Sequence, residues 1–309
     1  MILGASTAAQ RAGSATPGDE PSSSLNELWI EPGTTRNLID GPAGVAASAR
    51  PAIDGRFEID SKDTAGFSAT YKVHDASGRK WHVKNGPEAQ TEVVASRIVW
   101  AVGFHQVPSY FVERWIAVDH AKGAQLGGAR FRPDDLGMKA RGTWAWQKNP
   151  FVHTAPYRGL LALMMILNST DLKDDNNAIY NVKGEWDGAS RWFLVRDIGA
   201  ALGETGKLYP RRNWLEGFER SGFITKVSGD RVEFDYHGRH QELLAMITPE
   251  DVRWAAQRLN ALTDSQWRDA FRAANYDPAI AERFIQRIKA RIADGLALRA
   301  TPPPAGARS

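Results

Sequence analysis

The chain has 309 residues, room for two lobes or one large domain with a sizeable core. Hydrophobic residues make up 42% and charged residues 24%, an ordinary globular mix that excludes a fibre or a wholly disordered chain. The 39 Lys and Arg against 36 Asp and Glu leave a net charge of +3, which gives no reason to expect a nucleic-acid partner. The absence of cysteine excludes disulfides, thiol catalysis and Cys-ligated zinc, and no run approaches the roughly 18 apolar residues of a transmembrane helix.

Residues 1–24 hold few large apolar side chains and are rich in Ala, Gly, Ser, Thr and Pro, so they read as a flexible tail. They lack the basic start and apolar stretch of a secretory signal, although a processed leader would leave a similar remnant. From Phe57 to Lys84 two β-rich runs, SATYKVHD and KWHVK, flank a turn at Ala76–Gly78 and predict a hairpin. Gly86-Pro87 then opens a helix that places Ala89, Val93, Ser96 and Trp100 on one face and stops at Gly103. A strand is expected over VPSYFVERWIAV, followed by a Gly-rich and Trp-rich connection.

Pro156–Asn168 predicts a helix apolar on almost every side, hence buried. NAIYNV and RWFLVRD form a second hairpin pattern, and everything after it reads as helix. The starts are Thr248-Pro249, a Thr263/Gln266 capping box and Asp277-Pro278. TPPPAGARS, from Thr301, reads as an unstructured end. The expected organisation is a tail (1–24), a β-rich part with one Glu-bearing helix (25–150), a helical part (151–300) and a tail (301–309). The junction is expected near Trp144–Tyr157, and a cleft between two such parts is a usual place for a small ligand.

The segment from Asn168 to Asn177 is polar where burial is expected. Moving a phosphoryl group requires a carboxylate to orient the acceptor hydroxyl, a cation near the γ-phosphate and oxygen ligands for Mg²⁺. Asp171, Lys173 and Asn176 supply those three types.

STDLKDDN resembles the catalytic loop H-R-D-L-x-x-x-N of the protein-kinase-like superfamily, with the Asp-to-Asn spacing of five kept and Lys two residues after the Asp. Asp197-Ile198-Gly199, at the end of WFLVR, is similar to the D-F-G element, with Ile for Phe. Lys84, ending KWHVK, matches the strand lysine. The resemblance covers scattered pieces from about Asp63 to Gly199. Ser169 and Thr170 stand where the family has His and Arg, no A-P-E follows, and the cover loop AGFSAT keeps one glycine, Gly66. These departures bring the sequence nearer to atypical branches such as HipA-type and phosphoinositide-type kinases.

The resemblance implies an α+β, two-lobed kinase-like fold with a β-rich N-terminal lobe and a mostly helical C-terminal lobe. It implies an ATP- and Mg²⁺-dependent phosphotransferase acting on an unknown acceptor: protein, sugar or small molecule. Asp171 and Lys173 would be catalytic, and Asn176 and Asp197 would hold the metal. Lys84 would contact the α- and β-phosphates, paired with Glu92 or, as fallback, Glu88, while Gly66 and Ser68 would cradle phosphates. The alternative is a pseudokinase that binds a nucleotide, a partner or a glycan without turnover; AMP transfer is a third, weaker reading. The compartment stays open, the cytoplasm favoured for an active kinase and an exported form not excluded.

Other features have plainer explanations. Asp174 and Asp175 read as a polar turn, His237 and His240 as a solvated loop, and His105 and His153 as structural. Trp144 and Trp146 read as core, with stacking on a base or sugar the alternative. Lys207, Arg211 and Arg212 form a small basic group after Asp197, a solvated surface by default.

Overall fold

The computed structural model describes residues 23–33, 36–42, 50–120, 122–134, 137–186, 188–204 and 211–299. Residues 1–22 and 301–309 of the expected tails, and Lys207, lie outside them.

Strands β1 (Arg56–Asp63), β2 (Ala69–His74) and β3 (Lys80–Asn85) form an antiparallel meander. The β2–β3 reversal falls at the expected turn, where Gly78 takes φ +83° and the Asp75 carboxylate accepts the amides of Ser77 and Arg79. Alternation sends Tyr71, Val73, Trp81 and Val83 to one face of the sheet. There they meet Phe57, Trp115 and Phe131, with Trp115 and Phe131 edge-to-face at 5.4 Å. Burying each such ring contributes on the order of 1.5–3 kcal/mol.

Helix α1 (Glu88–Ala101) follows directly. It is buried almost all round, beyond the single predicted face, because the sheet covers one side and the helical part the other. The expected strand over 107–118 is broken into β4 (Tyr110–Val112) and β5 (Trp115–Asp119). The Gly-rich connection holds three strands of its own: β6 (Lys122–Leu126), β7 (Ala129–Pro133) and β8 (Met138–Gly142). Glycines 123, 127, 128, 137 and 142 interrupt the apolar alternation there and hide these strands from a pattern reading. β4 pairs with β7, and β5 lies parallel to β1, so one apolar run feeds opposite sides of a seven-stranded sheet ordered β4-β7-β3-β2-β1-β5-β6.

Helix α2 (Ala155–Ile166) starts at Thr154, whose hydroxyl accepts the Tyr157 amide, and is buried as predicted. β9 (Asn177–Trp186) and β10 (Ala189–Val195) form the predicted hairpin, and β8 adds to it as a third strand. After α3 (Leu215–Arg220) comes a hairpin of β11 (Ile224–Ser228) and β12 (Arg231–Phe234), where the sequence reading expects only helix. Helices α4 (Gln241–Leu244), α5 (Pro249–Asn260), α6 (Asp264–Arg272) and α7 (Pro278–Ala297) follow. The last three begin at the expected caps; Thr248 with Asp251 and Thr263 with Gln266 both make reciprocal capping boxes. Trp144 and Trp146 are buried core residues, and the Trp144 indole donates to the Leu194 carbonyl. The chain is therefore α+β, a curled sheet followed by a mostly helical part.

The N-terminal segment is pinned to β10. Arg191 Nε lies 3.0 Å from Glu27 Oε1 and its Nη2 donates to Oε2 at 3.0 Å, with both side chains buried. Removing one partner strands a desolvated charge. Glu27→Ala is expected to cost about 3–5 kcal/mol in urea unfolding, and Glu27→Leu with Arg191→Met to recover most of it. A loss near that of a surface pair, under about 1 kcal/mol, would contradict this account.

Candidate active site

β3 leads into α1 through Gly86, which takes φ +143°; a Cβ there would stand 3.0 Å from the Ser68 hydroxyl. This tight passage puts the last inward residue of the β3 cleft face, Lys84, beside the first two turns of α1. Lys84 Nζ lies 3.1 Å from Glu92 Oε2, 3.6 Å from Glu88 Oε2 and 3.2 Å from Asp197 Oδ1. Both candidate glutamates thus reach the lysine. Glu92 is the nearer, and Glu88 also takes the Ser68 hydroxyl at 2.9 Å and the Arg212 guanidinium. The Ser68 hydroxyl, expected to cradle phosphates, is committed to Glu88, and Gly66 stands exposed with room for a Cβ.

Asp197 sits just after β10 with φ +51° and ψ +38°, a left-handed conformation costly for a residue other than glycine. Gly199 explains how α1 comes so near: a Cβ there would meet Glu88 Cβ at 2.8 Å, the Glu88 carbonyl oxygen at 3.0 Å and Glu92 Cβ at 3.4 Å. The Asp-x-Gly spacing therefore serves packing as well as chemistry.

The sequence reading misses two arginines here. Arg130 Nε lies 2.9 Å from Glu92 Oε1 and Nη2 lies 3.6 Å from Asp197 Oδ1. Arg132 is two residues further along β7, on the same face. The alternation in ARFRP, with Phe131 in the core between them, is the signal that could have found the pair. Cross-strand register sets the roof of the cleft in two rows: Asp63, Thr70, Lys84 and Arg130 in one, and Ser61, Lys72, His82 and Arg132 in the next. They enclose, with Asp197, a cavity of about 320 Å³.

Burial works against the charge on Lys84, but Glu92 and Asp197 outweigh it and raise the ammonium's pKa above the ordinary lysine value. Burial would likewise raise Asp197; Lys84, Arg130 and Arg132 instead hold its carboxyl well below the usual carboxylate range. Burial first, then Arg132 and Lys72, lower the His82 pKa, against the pull of Asp134.

Asp171, Lys173 and Asn176 form a second group. Lys173 Nζ lies 2.8 Å from Asp171 Oδ2, and the Asn176 amide donates to the Asp171 carbonyl at 3.1 Å and to its carboxylate at 3.4 Å. Arg239 Nε stands 3.9 Å from the other carboxylate oxygen. Tyr236 donates to the Thr170 carbonyl, and Asp174 accepts the Trp146 amide at 2.9 Å, which makes Asp174 a structural brace. The two groups are tied through the backbone, since the Arg196 amide donates to the Asn176 carbonyl at 2.9 Å. Among the described residues no three His, Cys, Asp or Glu side chains gather into a metal cluster. Asp197 and Asn176 each carry a side-chain oxygen, the donor type that Mg²⁺ takes alongside waters and phosphates.

The remaining candidates are structural. His105 stacks on Trp192 at 4.5 Å, with Nε2 2.6 Å from the Asn26 carbonyl oxygen. His237 and His240 face the carboxylates of Asp235 and Glu242, while Arg212 covers Phe67 and Arg211 covers Trp214.

A carboxylate whose folded pKa is lowered contributes stability above its unfolded value, about 3.8, and loses that contribution as pH falls through the folded value. Asp197→Asn removes this component. Urea titrations from pH 2 to 6 are expected to find the variant less stable than wild type above about pH 4, with the gap closing at lower pH. A gap that stays constant across the range would contradict the assignment.

No family model matches the sequence, and no curated protein matches it. Among solved structures, the crystal structure of a Helicobacter pylori proinflammatory kinase, CtkA, aligns over 80% of this chain and 97% of that chain, at 10% sequence identity and a TM-score of 0.47.

Proposed function

We propose that the protein is an ATP- and Mg²⁺-dependent phosphotransferase of an atypical kinase-like type. The observation that carries this is the convergence of a strand lysine, a helix glutamate and a post-strand aspartate: Lys84 Nζ within 3.2 Å of both Glu92 and Asp197. The curled sheet through about residue 150 forms the upper lobe and the helical part beyond it the lower. Lys84 neutralises the phosphate chain and is fixed in place by Glu92, whose other carboxylate oxygen engages Arg130. Asp197 and Asn176 would hold Mg²⁺, which when bound would neutralise the phosphate oxygens and orient the chain. Asp171 orients the acceptor hydroxyl and takes its proton at a carboxylate oxygen, and Lys173, already beside it, offsets charge near the transferred group.

A second reading, a nucleotide-binding protein without turnover, draws support from the single exposed glycine in the cover loop and the Ser68 hydroxyl engaged by Glu88. Thermal shift with ATP, with and without Mg²⁺, followed by ATP turnover, separates the two. Wild type is expected to gain stability with Mg²⁺ and ATP together and to turn ATP over. Asp171→Ala should keep the shift and lose at least about a hundredfold in turnover; Asp197→Asn should lose the Mg²⁺-dependent part of the shift. A shift with no turnover in wild type selects the second reading, and no shift at all defeats both.

A further inference from the structure

A purine buried under a sheet needs a flat apolar slot, since small-molecule pockets are lined mostly by hydrophobic and aromatic side chains. In the roof of this cleft the side chains of Tyr71, Val83 and Phe131 are spent in the core on the other face of the sheet, and only Tyr71 and Val83 border the cavity, between rows of charged side chains. The cleft face presents Lys84 and Arg130 in one row and Lys72, His82 and Arg132 in the next, roughly 6.6–6.8 Å further along the strands.

The two rows differ in how their charge is met. Glu92 and Asp197 sit within 4 Å of Lys84 and Arg130 and compensate the first row. Among the described residues, Lys72 and Arg132 have no carboxylate within that distance, and the Asp134 carboxylate at the rim, 54% exposed, faces His82 at 3.1 Å. Beneath, Arg196 adds another cation beside Arg132; its Nη1 donates to the Tyr180 hydroxyl at 3.2 Å, while its buried Nε has no hydrogen-bond partner among the described residues. Of the side chains lining the cavity of about 320 Å³, Lys72, Lys84, Arg130 and Arg132 stand against two carboxylates, Asp63 and Asp197, both at the first-row end, so the surplus lies in the second row.

We propose that the roof of the cleft is an oligophosphate rail: Arg132, Lys72 and His82 hold a second phosphate group one strand step beyond the one at Lys84. The linked phosphates lie along the sheet, and a base attached to them contributes little binding. The proposal rests on the cleft being the ligand site of the phosphotransferase reading, yet it needs no turnover. Arg132 supplies a planar fork suited to phosphate oxygens, and Lys72 a mobile charge at the cavity mouth.

Isothermal titration of the full chain without Mg²⁺, using inorganic tripolyphosphate, ATP and adenosine as probes, tests this. Tripolyphosphate is expected to bind within about threefold of ATP, and adenosine to show no saturable binding at millimolar concentration. Arg132→Gln should weaken tripolyphosphate and ATP together by about tenfold or more, and Lys72→Met, on an exposed side chain, by a few fold. Comparing tripolyphosphate with ATP tells a free oligophosphate from a nucleotide as the preferred source of the chain. Adenosine binding as tightly as ATP, absence of tripolyphosphate binding, or unchanged affinity in folded Arg132→Gln and Lys72→Met would each overturn the rail. Loss of turnover in Asp171→Ala with tripolyphosphate binding intact bears on the chemistry and leaves the rail standing.

Discussion

The buried ammonium of Lys84 organises this molecule. A desolvated cation is tolerable only if carboxylates meet it, and here they arrive from two separate elements: Glu92 and Glu88 on α1, and Asp197 after β10. Arg130 from β7 shares two of these carboxylates, so four segments of chain are locked around one charge cluster. The electrostatics that keep Asp197 ionised also fix the angle between sheet, helix and the hairpin β9–β10. Stability and candidate chemistry are drawn from the same atoms, and residues there cannot be altered for one without touching the other.

Two close approaches make the cluster possible, and both depend on a missing side chain. Gly86 lets β3 turn into α1 against Ser68, and Gly199 lets α1 lie on the turn that carries Asp197. The left-handed backbone of Asp197 is held where it is because Lys84 and Arg130 grip its carboxylate, an example of local strain over-determined by its surroundings.

Much of this was legible in the sequence. The hairpin around Gly78, the helix after Pro87, the buried α2, the β9–β10 hairpin and the capped helices α5 to α7 each carry a local signal, a period or a cap, and each is present. Lys84, Glu92 and Asp197, which meet around one charge, and Asp171, Lys173 and Asn176, which form a second group, were readable by type and spacing, although which glutamate lies nearer to Lys84 depends on how α1 meets β3. Strands β6 to β8 were hidden by their glycines, and Arg130 and Arg132 with them. The β11–β12 hairpin was obscured by helical patterns on either side. The split of residues 107–118 between β7 and β1 is a matter of tertiary pairing, to which a strand's own residues are blind.

The clasp between Glu27 and Arg191 joins residues 164 positions apart. During synthesis at roughly 5–20 residues per second, the glutamate leaves the ribosome some 8–30 s before its arginine does. Over that interval the segment around Glu27 has no anchor on β10, and every residue of the sheet spanning 56–133 has been synthesised before the clasp can close. The order of emergence makes this clasp a late fastening of the sheet side, while the core that Leu28 enters still waits for residues as late as Ile292.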